Sequence, residues 1–157
     1  MTPQPPSTQT LGAAAAGLAL YLPNRPSTPV SARQGHIPDV PGLILHNGNH
    51  WRKIFSILAK LCSPADQPWQ HYRDRELLQQ HEVICFADRL LTGPRWHLVA
   101  GKASWQRLGL DPQTFSLLDD EGRVLLRDNI LLTPYPDYRQ FPNRTVAQVR
   151  ALLTGER

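Results

Sequence analysis

The sequence predicts an α/β fold, a three-layer α/β/α sandwich around a mostly parallel central sheet. Three observations predict it. Short runs apolar on both faces recur at 17–22 (GLALYL), 82–87 (EVICFA) and 96–100 (WHLVA), as strands covered on both sides require. Segments of helical periodicity alternate with them. The 157 residues, 41% of them apolar, suffice for one sizeable core and not for two.

Residues 1–10 (MTPQPPSTQT) offer nothing to bury, and residues 1–16 are expected to form a disordered leader before a single domain at 17–157. The apolar stretch 11–22 is shorter than the roughly 20 residues a bilayer span needs. No Lys or Arg precedes it, as a secretory signal would require, so a cytoplasmic chain with no membrane contact is expected. Pro23 halts the first strand. Five prolines between 23 and 41 then predict a long loop.

Asn49 is the expected N-cap of the clearest helix, in which Trp51, Ile54, Phe55, Leu58, Leu61 and Cys62 recur at three-and-four spacing. Arg52, Ser56 and Lys60 form its opposite, solvated stripe, and Ser63-Pro64 stops it. A second helix is expected over 68–80. After the strands at 82–87 and 96–100, Gly101 opens a short helix at 102–108. Runs at 123–126 and 129–133 read as a hairpin joined at Arg127-Asp128. A loop at 134–136 leads to a last helix at 145–153, capped by Asn143 or Thr145.

Ligands of such sheets gather beyond the carboxyl ends of the strands. Here those ends are 23–29, 88–94, 101–102 and 133–143. The charge of +4 permits a polyanionic partner without requiring one. Cys62 and Cys85 lie in apolar runs and read as buried thiols rather than a disulfide. His46 and His50 are four apart, but Asn47-Gly48-Asn49 interrupts a helix between them, so no metal site is expected. The sequence has no Gly-rich phosphate loop and no nucleophile elbow, and no cofactor is expected.

Three segments carry candidate chemistry. Gly101-Lys102 could hold an anion at a helix start, or Gly101 could serve only the turn while Lys102 is solvated. Asn49-His50-Trp51-Arg52-Lys53 could place cations on phosphate and aromatics on bases, or could cap, bury and solvate respectively. The segment 133–143 (TPYPDYRQFPN) fixes Tyr135, Asp137, Tyr138 and Arg139 on a proline-stiffened loop. A binding role is expected there, with Asp137–Arg139 pairing as the plainer alternative.

Taken in order, LALYLPNRPS, GNHWRKIFSILAKL, LLQQHEVICFADRLLT, HLVAGKASWQRLGL and RVLLRDNILLTPYPDYRQ resemble the uracil-DNA glycosylase superfamily. The likeness runs over about 130 residues and is greatest to the mismatch-specific uracil/thymine branch. The signatures GNHWRK and PYxDYRQ are also similar to those of an uncharacterised bacterial family. The resemblance implies base flipping and N-glycosidic cleavage. It puts Asn24 where a residue orients the attacking water and Tyr135 where a His or Asn serves the departing base. Arg25 stands beside Asn24; Tyr138 and Arg139 would belong to the wedge, and Arg52 and Lys102 would contact phosphates.

The sequence departs from the superfamily at several of these positions. Pro23, Arg25 and Pro26 replace the Gly and Pro around the first motif, which also lacks an acid. Tyr135 cannot reproduce an imidazole or amide in the same geometry, and Asp137 brings negative charge where phosphate would lie. The resulting expectation is a monomeric, glycosylase-like protein that binds DNA or a nucleobase, with enzymatic activity weak, altered or absent. The alternatives are a non-catalytic protein-interaction module using the Pro-rich and aromatic loops, and a small-molecule enzyme using the same cleft.

Overall fold

The computed structural model describes residues 9–27, 38–119 and 121–155. Within them, seven strands form one sheet: β1 (Thr10–Gly12), β2 (Leu18–Tyr21), β3 (Glu82–Cys85), β4 (Trp96–Ala100), β5 (Ser116–Leu117), β6 (Leu125–Arg127) and β7 (Ile130–Thr133). Five helices accompany it: α1 (Val40–Asn47), α2 (Asn49–Cys62), α3 (Trp69–Arg75), α4 (Lys102–Arg107) and α5 (Asn143–Thr154). The strand order is β1-β3-β2-β4-β7-β6-β5. The four central strands β3, β2, β4 and β7 run parallel, and the outer strands pair antiparallel.

The pleat sorts alternate residues to two cores. Leu18, Leu20, Ile84, Phe86, Leu98 and Leu131 meet the apolar sides of α1, α2, α3 and α5. Ala19, Tyr21, Val83, Cys85, Val99 and Leu132 meet a smaller core on the other face. That face is closed by Trp105 of α4 and by Leu90, Leu91, Leu110 and Phe115 from loops. The expected three layers are therefore unequal. One face carries four helices, and the other a six-residue helix and loops. The link from β3 to β4 carries no helix, so its loop side chains supply the cover.

The expected leader needs correction. Leu11 is buried, Gln9 O accepts the Phe86 N–H at 2.8 Å and Glu82 O accepts that of Ala13 at 3.1 Å. An edge strand is thus built from Thr10, Leu11 and Gly12, three residues too few to carry a periodic signal beside the alanine run at 13–16. The remainder of the leader, 1–8, lies outside the described residues.

The loop expected at 23–41 is irregular at 23–27 and 38–39, and its stretch 28–37 lies outside the described residues. Its last two positions open α1, which has proline in its first turn, where a missing N–H costs nothing. Gly48, not Asn49, occupies the N-cap position of α2. Its φ of 87° turns the chain between two helices, and its N–H closes α1 on the Ile44 carbonyl at 2.7 Å.

Of the stripe expected to be solvated on α2, Arg52 is exposed, but Ser56 and Lys60 are engaged. Ser56 is fully buried and accepts a hydrogen bond from the Arg73 guanidinium at 3.0 Å, while Lys60 donates to Asn143 Oδ1 at 3.2 Å. The second helix ends at Arg75, short of Gln80, and Leu77 and Leu78 are buried in the turn that follows. The β6–β7 hairpin turns at Asp128-Asn129, one residue later than expected, with Arg127 opposite Ile130. Cys62 and Cys85 carry free thiols. Among the described residues, no helix is long and apolar enough to cross a membrane.

Candidate functional site at the carboxyl edge of the sheet

β2 stands between β3 and β4, the next two strands in sequence. The chain therefore leaves β2 and β4 towards opposite sides, the arrangement at which sheets of this kind bind ligands beyond their carboxyl ends. The turn at Pro23-Asn24 leaves β2 there and Gly101-Lys102 leaves β4. The loop after β7 arrives alongside.

A row of side chains crosses this edge. The Arg25 guanidinium lies 5.3 Å from the Phe86 ring centre, and Phe86 meets Trp51 edge-on at 6.5 Å. Trp51 meets His50 edge-on at 6.2 Å, and His50 stacks on Tyr135 at 5.7 Å and 30°. His50 Nε2 and Tyr135 Oη are 3.0 Å apart and share a hydrogen bond. The turn after β2 and the loop after β7 thus leave one edge and are bridged by three rings. No hydrogen bond joins Asn24 to Tyr135 themselves among the described residues.

Gly101 lies directly against Tyr135. A Cβ at Gly101 would stand 3.4 Å from Tyr135 Cδ2, so the ring lies against bare backbone. Its φ of 86° and ψ of 148° belong to a region that L side chains rarely enter. Burial, followed by the charge of Asp137, pushes the Tyr135 hydroxyl above its ordinary pKa of 10.0. The phenol is consequently neutral near pH 7 and able to donate.

The other expected site residues divide clearly. Asn24, Arg25, Arg52, Lys102 and Arg139 are exposed, as is His50. Arg25 is also anchored by a 3.3 Å bond to the Thr10 carbonyl, and Arg107 holds the Pro23 carbonyl at 3.0 Å. Trp51 needs correction as a contact residue. It is 6% exposed and packs on Phe55 and Phe86, because the helical phase that sets Ile54 and Phe55 inward carries it inward too. It supports His50 from below.

Asp137 bonds within its own loop. Its Oδ1 accepts the Arg139 backbone N–H at 2.8 Å, and its carbonyl accepts those of Gln140 and Phe141. The alternative of a pairing with the Arg139 side chain is replaced by this turn. Tyr138 is 44% exposed and turned back on α2, with the Lys53 and Lys60 ammoniums 5.8 and 5.4 Å from its ring centre.

Sequence reasoning missed Phe86, which reads as part of a strand, and the approach of Lys53 and Lys60 to Tyr138. Their signal was the alternation of cations and aromatics along α2 and the late loop, which links them only once the fold is known. Beneath the loop, Pro136 and Phe141 close a small apolar void with Leu20, Leu98 and four α2 side chains, on the scale of one water. On the opposite face Tyr21 Oη lies 2.6 Å from His97 Nδ1 and accepts the Leu91 N–H at 3.0 Å, an internal brace for the β3–β4 loop. No three His, Cys, Asp or Glu gather for a metal among the described residues.

The row can present a neutral phenol, an imidazole and a guanidinium to a planar polar ligand. No carboxylate bonds to His50 or Tyr135 among the described residues. No curated protein and no solved structure matches the chain. A family model does match, over residues 9–154, and on that extent the chain belongs to the family of unknown function DUF6942.

Proposed function

We propose that the carboxyl edge binds a nucleobase-bearing ligand, with DNA as the ligand class, on a glycosylase-like α/β scaffold. N-glycosidic cleavage there is weak, altered or absent. The observation that carries the reading is the stacked, hydrogen-bonded His50–Tyr135 pair, seated on Gly101 at the carboxyl ends of the strands. A base needs both an aromatic face and a polar edge, and this pair supplies both. Exposed Arg25, Arg52, Lys102 and Arg139 suit a phosphate backbone. Asn24, exposed at the first turn, is the candidate for orienting a water. With no carboxylate bonded to the pair, deprotonation of that water has little support, which favours binding over turnover.

The test is a set of labelled oligonucleotides carrying uracil, G·U, G·T or no lesion, scored for retention over a salt series and for abasic-site formation. Retention that weakens steeply with salt, with few abasic sites, is expected. The double variant Asn24→Ala with Tyr135→Ala should lose retention while still unfolding cooperatively. Unchanged retention by a folded double variant would remove the site. No salt-sensitive retention by the wild type would favour a protein-interaction module instead.

A further inference from the structure

The outer side of α2 carries a column in which cations and rings alternate. Lys53 Nζ lies 5.8 Å from the Tyr138 ring centre; Lys60 Nζ lies 5.4 Å from Tyr138 and 4.9 Å from Trp69; Arg73 Cζ lies 5.4 Å beyond, over Trp69. Three elements contribute: α2, α3 and the loop after β7.

The charge on this column is one-sided. Arg73 is matched by Asp74 at 2.9 Å. No ion pair of the described residues includes Lys53 or Lys60, and α2 contains no Asp or Glu. Asp137, the acid of the neighbouring loop, bonds to that loop's backbone. A brace between loop and helix needs one cation on one ring. Here two ammoniums share the Tyr138 ring without a carboxylate to neutralise them, an arrangement that a bound chain of anions relieves. Lys53 and Lys60 are two helical turns apart, about 10 Å at 1.5 Å per residue, or roughly three nucleotides of a stacked strand at 3.4 Å each. The upper end of α2 is His50, in the edge site.

We propose that this column is a track for the phosphate backbone of single-stranded nucleic acid, leading along α2 to the carboxyl edge. Lys53 and Lys60 meet phosphates, and Tyr138 and Trp69 hold the two ammoniums in place. The ligand class rests on the reading given under Proposed function; the track itself rests on the column.

The experiment measures anisotropy of a labelled oligothymidylate over a salt series, with inorganic polyphosphate as a base-free competitor in parallel. Removing one lysine from a phosphate should lower the log–log salt slope by about 0.7. Lys53→Gln should therefore lower it by about 0.7 and Lys53→Gln with Lys60→Gln by about 1.4, whereas Tyr135→Ala should weaken binding without changing the slope. Lys60 also bonds Asn143, so the single Lys53 variant decides the matter if the double variant does not fold. Oligonucleotide binding whose slope ignores both lysines overturns the track and leaves the edge site standing. Polyphosphate binding through these lysines without oligonucleotide binding overturns the nucleic-acid ligand in both readings. Binding of neither probe overturns the track outright.

Discussion

Glu82, at the amino end of β3 and 1% exposed, accepts hydrogen bonds from the Tyr72 hydroxyl and, at 2.9 Å, from the Leu78 N–H. Burial pushes its carboxyl above the ordinary 4.5, outweighing the bonds that pull it down. The folded protein then keeps this proton at pH values where the unfolded chain has released it. Stability from this group is full below pH 4.5 and is lost as pH rises through the raised value. Glu82→Gln removes the titration and keeps an acceptor for Leu78, so the Tm difference should move in the variant's favour as pH rises above 4.5. Glu82→Ala leaves two buried donors unpaired and should cost about 1–3 kcal/mol or more throughout. A Glu82→Gln difference that is flat with pH would show the carboxylate to be solvated. Residues of this kind are poorly legible in sequence. Glu82 reads as a strand's polar first residue, and its burial depends on which neighbours close over the side chain, which no local pattern encodes. Trp51 is the opposite case, because the three-and-four spacing of α2 already set it inward beside Ile54 and Phe55.

At the scale of elements, strands β2 and β4 and the interior of α2 were legible because apolar runs and three-and-four spacing are local signals. The ends of elements were not. Gly48 rather than Asn49 precedes α2, because α1 arrives directly before it and its closing turn needs a positive φ. The joint between β4 and α4 repeats the lesson with a consequence for the site. Gly101 was legible as the residue that ends a strand, but its contact with the Tyr135 ring comes from a loop 34 positions away in the sequence. Gly101→Ala should cost about 1–3 kcal/mol through its φ of 86° alone. Relaxation of the strained turn should also shift the Tyr135 ring that lies on it, and with it the contact to His50. Urea unfolding reads the first effect, and the His50 ring resonances read the second. A variant of wild-type stability with unmoved His50 resonances would mean that the joint relaxes freely and does not hold the pair.

For the whole molecule, the parallel centre of the sheet follows from apolar strands separated by helices, but the strand order and the unequal layers do not. They are set by which edge of β2 each later strand joins, a choice made by packing across the sheet. The least legible feature is β1, because three residues next to an alanine run carry almost no periodicity. Its consequence is large. β1 covers β3, whose EVIC sequence would otherwise be an apolar sheet edge able to pair with another chain. Leu11, 6% exposed, contributes on the order of 1.5–3 kcal/mol by burial. The Thr10 carbonyl also holds Arg25, which in turn lies over Phe86. A chain starting at Gly17 should therefore unfold at lower urea, with a loss of at least about 2 kcal/mol. It should scatter light in a concentration-dependent way as β3 pairs between molecules. At temperatures where it stays folded, it should bind oligonucleotide more weakly, because Arg25 has lost its anchor. If that shortened chain unfolds and stays monodisperse like the full one, β1 is an ornament of the sheet rather than its edge, and the anchoring of Arg25 from this side fails with it.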